Sequence, residues 1–373
     1  MLTIIFVAKF YLTLETKENE QCYMGVTFGG NTSAEAKLLI DRVKNYTNLF
    51  VLQSGPISEN ETATTEICDY AVASGLNIIV YFGDLAPRIL MEKNLTWRAS
   101  WVSSANLHYG ERFKGIYYYD ERGGIYLDTD KNATNWNLPP NSTYDTVASV
   151  FSNGFLSDPG TVALKAQNTP IFCSDYVLYW FDYLSGYDVV LAQVGWNHSI
   201  VKDVGLIRGA ATLQDRDWGT IITWKYTTSP YLDNGEAIYG QMLSSYEAGA
   251  KYIVIFNYPY SGENPYGIMF DEHFEALEKL WTDAMRGNVT HGSRLADVVL
   301  VLPKNYGFGL RHPEDNIWGF WSPDEKTHQV WSISQKLLSR YGLGLDIVYD
   351  DPAFPVVDNY QQVYYWSQTI NFD

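Results

Sequence analysis

Short apolar runs recur along this chain, each followed by a stretch with helical spacing, and that alternation limits the fold more than any other feature. The runs begin at Tyr23–Phe28, Leu49–Gln53 and Asn77–Phe82. They continue through Phe113–Tyr119, Pro170–Ser174, Asp188–Gln193, Thr220–Trp224 and Tyr252–Phe256. Helical patterns fill the gaps over Ser33–Asn45, Thr62–Ala73, Asp145–Ala166 and Gly235–Ala248, the third broken near Asp158-Pro159-Gly160. Strands buried on both faces read as continuous apolar runs, as parallel sheets require. Eight such units over about 260 residues match a (β/α)₈ barrel in size. An open doubly wound sheet would show the same alternation, so the α/β class is firmer than the closure.

A second α/β pattern starts near Arg294. Ala296–Leu302 reads as a strand closed by Pro303. Ser322-Pro323-Asp324-Glu325 is a helix start with serine as cap, proline at the first position and glutamate at the third. That helix runs to about Arg340 and stops at Gly342, and strands follow at Leu345–Tyr349 and Val363–Trp366. The expected organisation is an apolar leader over residues 1–20, a barrel over 21–290 and a small flavodoxin-like α/β domain over 291–373, either incomplete or with its last strand paired to another molecule. The leader, apolar from Met1 to Leu14, reads as the remnant of a signal peptide or membrane anchor.

Eight Asn-X-Ser/Thr sequons, at Asn31, Asn45, Asn60, Asn94, Asn132, Asn141, Asn197 and Asn288, point to a glycosylated extracellular or cell-surface protein. The formal net charge of −17 repels phosphate backbones, so no nucleic-acid partner is expected. Three cysteines leave an odd count; Cys22 and Cys68 can bridge only if the fold brings them together, and Cys173 reads as a buried thiol. The six histidines are scattered without ligand spacing, so neither a metal nor another cofactor is expected.

The chemistry concentrates in Phe113-Lys114-Gly115-Ile116-Tyr117-Tyr118-Tyr119-Asp120-Glu121-Arg122-Gly123-Gly124. It reads as a strand ending in two adjacent carboxylates, with the glycine pair as a flexible turn. Carboxyl ends of barrel strands carry the chemistry of such folds. Strand alternation allows only one of Asp120 and Glu121 to face a cavity. Glu236, at a helix start, is the candidate partner carboxylate. With 29 Tyr and 12 Trp, the chain is rich in rings that stack on sugar faces. Tyr119, Trp196, Trp224, Tyr226 and Tyr258 fall at or after strand ends, and Asp175, Gln193 and Asn257 add polar groups for sugar hydroxyls.

The strand-four motif, Ile221-Ile222-Thr223-Trp224-Lys225-Tyr226, Tyr231–Glu236 and Ala250–Tyr258 together resemble the (β/α)₈ glycoside hydrolase superfamily. A barrel followed by a flavodoxin-like domain is similar to the family 42 β-galactosidases. The resemblance implies a retaining enzyme with Asn-Glu after strand four and a glutamate after strand seven. This chain has Asp120-Glu121 at the first position and Trp224-Lys225-Tyr226 at the second. Two functions follow. One is a secreted glycoside hydrolase acting on an oligosaccharide, polysaccharide or glycan by paired-carboxylate chemistry. The other is a barrel without catalysis, serving as a glycosylated surface-layer, filament or carbohydrate-binding protein that self-associates.

Overall fold

The computed structural model describes residues 22–129, 141–196, 198–260, 264–292, 296–356 and 360–370. The expected leader and the sequons at Asn132 and Asn197 lie outside them. Eight parallel strands close into a ring in chain order: β1 (Tyr23–Phe28), β2 (Leu49–Leu52), β3 (Asn77–Tyr81), β4 (Phe113–Tyr117), β5 (Ile171–Asp175), β6 (Val189–Val194), β7 (Asp217–Ile222) and β8 (Tyr252–Ile255). Pairing of β1 with β8, Tyr23 opposite Tyr252, completes the closure. The chain is therefore a (β/α)₈ barrel, and the open-sheet alternative is excluded.

Period-two alternation divides the strand residues into two cores. Tyr23, Leu49, Val51, Ile79, Tyr117, Phe172, Val189, Leu191, Ile221, Tyr252 and Val254 fill the barrel interior. Their sequence neighbours, such as Met24, Phe50, Val80 and Cys173, pack outward beneath the helices. Large rings fit inside because glycine stands opposite them. A Cβ on Gly219 would meet the Tyr252 carbonyl oxygen at 2.3 Å. Tyr23 and Tyr252 stack at 5.1 Å and plug the amino end of the barrel.

A separate three-stranded parallel sheet follows, ordered β10 (Leu345–Tyr349), β9 (Val298–Leu302), β11 (Gln362–Tyr365). This 2-1-3 order is the one that opens a flavodoxin-like sheet. Its helix, Glu325–Tyr341, is capped by the Asp324 side chain, which accepts from the Lys326 and Thr327 amides. The sequence reading placed the cap at Ser322; the carboxylate wins because it reaches two free amides.

The helix Ile200–Leu213 joins the two sheets, and ten of its residues are buried. A helix apolar on all sides needs partners on all sides. Here the barrel covers one face and β10 the other. Gly205 and Gly209 permit the approach: a Cβ on either would come within 2.8 Å of β10. Arg208 donates to Asp346 at 2.8 Å, and Tyr360 donates to the other Asp346 oxygen at 2.9 Å. Both charged partners are buried, so removing either one would strand the other.

No helix among the described residues is long and apolar enough to cross a membrane. All three cysteines are free. Cys22 donates to the Ala250 carbonyl at 3.4 Å, so it does not pair with Cys68.

Candidate active site

The carboxyl ends of the strands open into a cavity of about 370 Å³. Asp120, Glu121, Gln193, Trp196, Trp224 and Tyr258 line it, together with Gln53, Ser174, Ile221, Thr223 and Phe256. Alternation explains the polar floor. Gln53, Ser174, Gln193 and Thr223 each continue the inward phase of their strand by one step, beyond Val51, Phe172, Leu191 and Ile221.

Both carboxylates line this cavity, against the expectation that only one would. The strand ends at Tyr117, and the backbone then turns through left-handed conformations at Tyr119 (φ 57°) and Glu121 (φ 50°). Strand alternation has stopped before the acids are reached. Residues other than glycine adopt such values only when their surroundings enforce them.

The surroundings are specific. Glu121 is the N-cap of the helix Arg122–Asp128, yet its side chain makes no capping bond. Asp175 performs that task from β5, accepting from the Gly123 amide and, at 2.9 Å, from the Gly124 amide. Two further amides, of Tyr176 and Val177, donate to the same carboxylate. The helix start is thereby satisfied from outside, and the Glu121 carboxylate is free to face the cavity. Gly123 and Gly124 are helical residues here rather than a flexible turn. They are glycines because of crowding: a Cβ on Gly124 would overlap the Tyr176 ring at 2.0 Å.

A chain of hydrogen bonds joins the two acids. Gln193 Nε2 donates to Glu121 Oε1 at 2.8 Å and to Ser174 Oγ at 2.9 Å. Ser174 Oγ donates to Asp120 Oδ1 at 2.8 Å, and Tyr117 Oη donates to the same oxygen at 2.7 Å. Asp120 Oδ2 accepts a long contact from Gln53 Nε2, at 3.5 Å. Burial pushes the Asp120 carboxyl up to about 6, the Glu121 charge adding to the effect while Tyr117 and Ser174 oppose it. Two buried polar atoms of the lining, Gln53 Oε1 and Trp224 Nε1, have no hydrogen-bond partner among the described residues.

An aromatic wall stands beside the acids. Trp224 lies 6.3 Å from Trp196, 6.0 Å from Tyr258 and 6.2 Å from Phe256, measured between ring centres. Trp196 and Tyr258 are 44% and 48% exposed, so their faces are open.

The remaining residues expected at the site sit elsewhere. Asp175 is fully buried under the Arg122 helix, in the outward phase of β5 with Cys173. Burial lifts its carboxyl to about 7 against the pull of its four amide donors. Glu236 is exposed on the helix Gly235–Glu247 and does not line the cavity. Tyr119 packs on Tyr118 at 4.6 Å, and its hydroxyl donates to Asp84. Tyr226 is exposed outside the cavity. Asn257 is buried, its side-chain oxygen accepting from the Ile268 amide to pin the loop after β8. The sequence reading missed Gln53, Ser174, Thr223, Tyr117 and Phe256, all of which the inward phase of the strands would have marked.

Among the described residues no cluster of three or more His, Cys, Asp or Glu side chains is placed to hold a metal ion.

No known protein family matches the sequence, and no curated protein does. Solved structures share the barrel at low identity. The chain is similar to α-L-fucosidase isoenzyme 2 from Paenibacillus thiaminolyticus, at 14% identity and TM-score 0.46, over 75% of this chain and 52% of that one. It is similar to the pneumococcal virulence factor StrH, at 8% identity and TM-score 0.42, over 72% and 86%. It is also similar to the spore coat polysaccharide biosynthesis protein spsE from Bacillus subtilis, at 11% identity and TM-score 0.42, over 73% and 72%. Glycosidases and other barrel enzymes thus stand together among these distant neighbours, and the barrel alone does not specify a reaction.

Proposed function

We propose that this protein is a glycoside hydrolase, with Asp120 as general acid and Glu121 as the second carboxylate. One observation carries the reading: two consecutive carboxylates share an aromatic-walled cavity, linked through Gln193 and Ser174. Glycoside cleavage needs an acid to protonate the leaving oxygen and a carboxylate to serve the anomeric carbon or an attacking water. Asp120 meets the first need. Its raised pKa keeps a proton available in mildly acidic solution, and Oδ2 is the oxygen not engaged by Tyr117 or Ser174. Glu121 meets the second, held in orientation by the Gln193 amide. Trp196, Trp224 and Tyr258 supply flat faces for sugar rings.

The test is a panel of oligosaccharides and aryl glycosides with wild type, Asp120→Asn and Glu121→Gln. Hydrolysis of at least one substrate by wild type, lost in both variants, supports the reading. No cleavage across the panel removes it.

One observation favours a second reading, a barrel that binds carbohydrate without cleaving it. The residue after β7 that the family 42 resemblance would make a glutamate falls within Trp224-Lys225-Tyr226, and Glu236 stands outside the cavity. Binding without turnover on the same panel would select it. An exterior location fits both readings, because the six described sequon asparagines are all exposed. A fall in intact mass on deglycosylation of native-source protein tests that location.

A further inference from the structure

A second cavity, of about 560 Å³, lies between the start of the Ile200–Leu213 helix and the Glu325–Tyr341 helix. Trp196 lines it as well as the candidate active site. Trp196 is 44% exposed and held at φ 48°, and its amide donates to the Trp224 carbonyl at 2.9 Å. The ring therefore forms an open ridge between two cavities. A large residue is kept in an unfavourable backbone conformation there by a hydrogen bond to the other tryptophan of the site.

Beyond the ridge the second cavity has no carboxylate in its lining but again offers an aromatic face, Trp331, with Ser199, His198, Gln335 and Ser339 around it. Its walls are already fixed. Lys202 Nζ donates to the Leu310 carbonyl at 3.2 Å and pairs with buried Asp203 at 3.3 Å. Arg311 is held by Asp315 through two bonds and by Asp128 at 2.6 Å. The two cations of the lining, Lys202 and Arg311, are already paired with Asp203, Asp128 and Asp315, so the ring faces and uncharged hydrogen-bonding groups suit a chain of sugar units better than a charged ligand.

We infer that this second cavity is a distal subsite for an oligosaccharide chain. The chain would cross Trp196 from the sugar held over Asp120 and Glu121 and lay a later unit against Trp331. The inference rests on the glycosidase reading and deepens it: the substrate is a chain of several sugars, and the second sheet contributes to its recognition.

The test compares kcat/KM on an aryl monoglycoside and on tetra- to hexasaccharides of the same sugar, for wild type, Trp331→Ala and Ser339→Trp. Ser339 is exposed, so its replacement fills the cavity without disturbing a core. Wild type should prefer the long chains by about tenfold or more, the scale expected of a ring stacked on an aromatic face. Both variants should lose that preference and keep the monoglycoside rate. Monoglycoside hydrolysis with no dependence on chain length overturns the subsite and leaves the glycosidase reading standing. A long-chain preference that survives Ser339→Trp overturns it likewise. No hydrolysis of either substrate overturns both.

Discussion

The two ends of the barrel treat carboxylates in opposite ways. At the amino end a cavity of about 610 Å³ is lined by Lys114, Lys165 and Lys251 with Asp188 and Asp217. There both aspartates are matched by cations. Lys165 donates to both oxygens of Asp188 at 2.8 Å, Arg216 adds a contact at 3.1 Å, and Lys251 pairs with Asp217. At the carboxyl end the cavity is smaller, and Asp120 and Glu121 accept from the neutral side chains of Tyr117, Ser174, Gln53 and Gln193. Burial there raises the Asp120 carboxyl to about 6, which leaves a proton within its reach. The contrast agrees with the proposed function, in which the amino end holds the barrel together and the carboxyl end receives the sugar.

The strongest way to break this contrast is to neutralise an acid at the carboxyl end. Asp120→Asn and Glu121→Gln should each reduce kcat/KM by roughly 10²-fold or more, the usual effect of removing a positioned acid or base. Because both side chains line the cavity, neither variant should be spared. A large loss in one and near-normal activity in the other would mean that one carboxylate only shapes the site. Circular dichroism should show both variants folded, since neither acid pairs with a cation among the described residues.

The pH profile sharpens the same contrast. If Asp120 donates the proton, kcat/KM should fall about tenfold per pH unit above about pH 6. Its linkage to stability has a definite sign. The native carboxyl binds its proton more tightly than the unfolded one, so stability is greatest below the unfolded value near 4 and falls as pH rises to about 6. Asp175 acts in the same direction up to about pH 7. Urea titrations at pH 4, 6 and 8 check this. Stability that climbs across that interval would show that other groups outweigh these two.

Gln193→Leu should have a smaller effect, about tenfold in kcat, because it removes the bridge without removing either acid. Its basic limb should also move, since the Glu121 charge contributes to the Asp120 position. Gln193→Asn is the control for bulk. An unchanged pH profile in Gln193→Leu would mean that the bridge does not couple the two acids.

The barrel was legible in the sequence because each strand is a continuous apolar run, and a parallel sheet covered by helices demands that pattern. The site was legible only in part. The Asp120-Glu121 pair, Gln193, Trp196, Trp224 and Tyr258 stand at strand ends and were found by position. Asp175 stands at a strand end too, but in the outward phase, where its neighbour Cys173 already packs beneath helices. Its role, capping a helix that starts 53 residues earlier at Arg122, depends on the closure of β4 against β5, which no local pattern encodes. The left-handed turns at Tyr119 and Glu121 were hidden for the same reason. Neither residue type favours that conformation, and only the assembled barrel imposes it.

The smallest effect belongs to the amino end and is the control for all the others. Asp188→Asn should leave the activity of the carboxyl end untouched and lower stability by about 1 kcal/mol. The figure is modest because Asp188, Lys165 and Arg216 are each about a quarter to two-fifths exposed, so water screens their attraction. Asparagine keeps one oxygen for the Ile171 amide, which Asp188 Oδ2 accepts at 2.9 Å, and so removes charge without removing that anchor. The loss should shrink in 1 M salt, where the Debye length falls to about 3 Å. A salt-independent loss would assign the effect to hydrogen bonding at the start of β5 instead of charge. A fall in kcat/KM comparable to that of Asp120→Asn would show that the two ends of the barrel are not independent, and would undo the contrast between them.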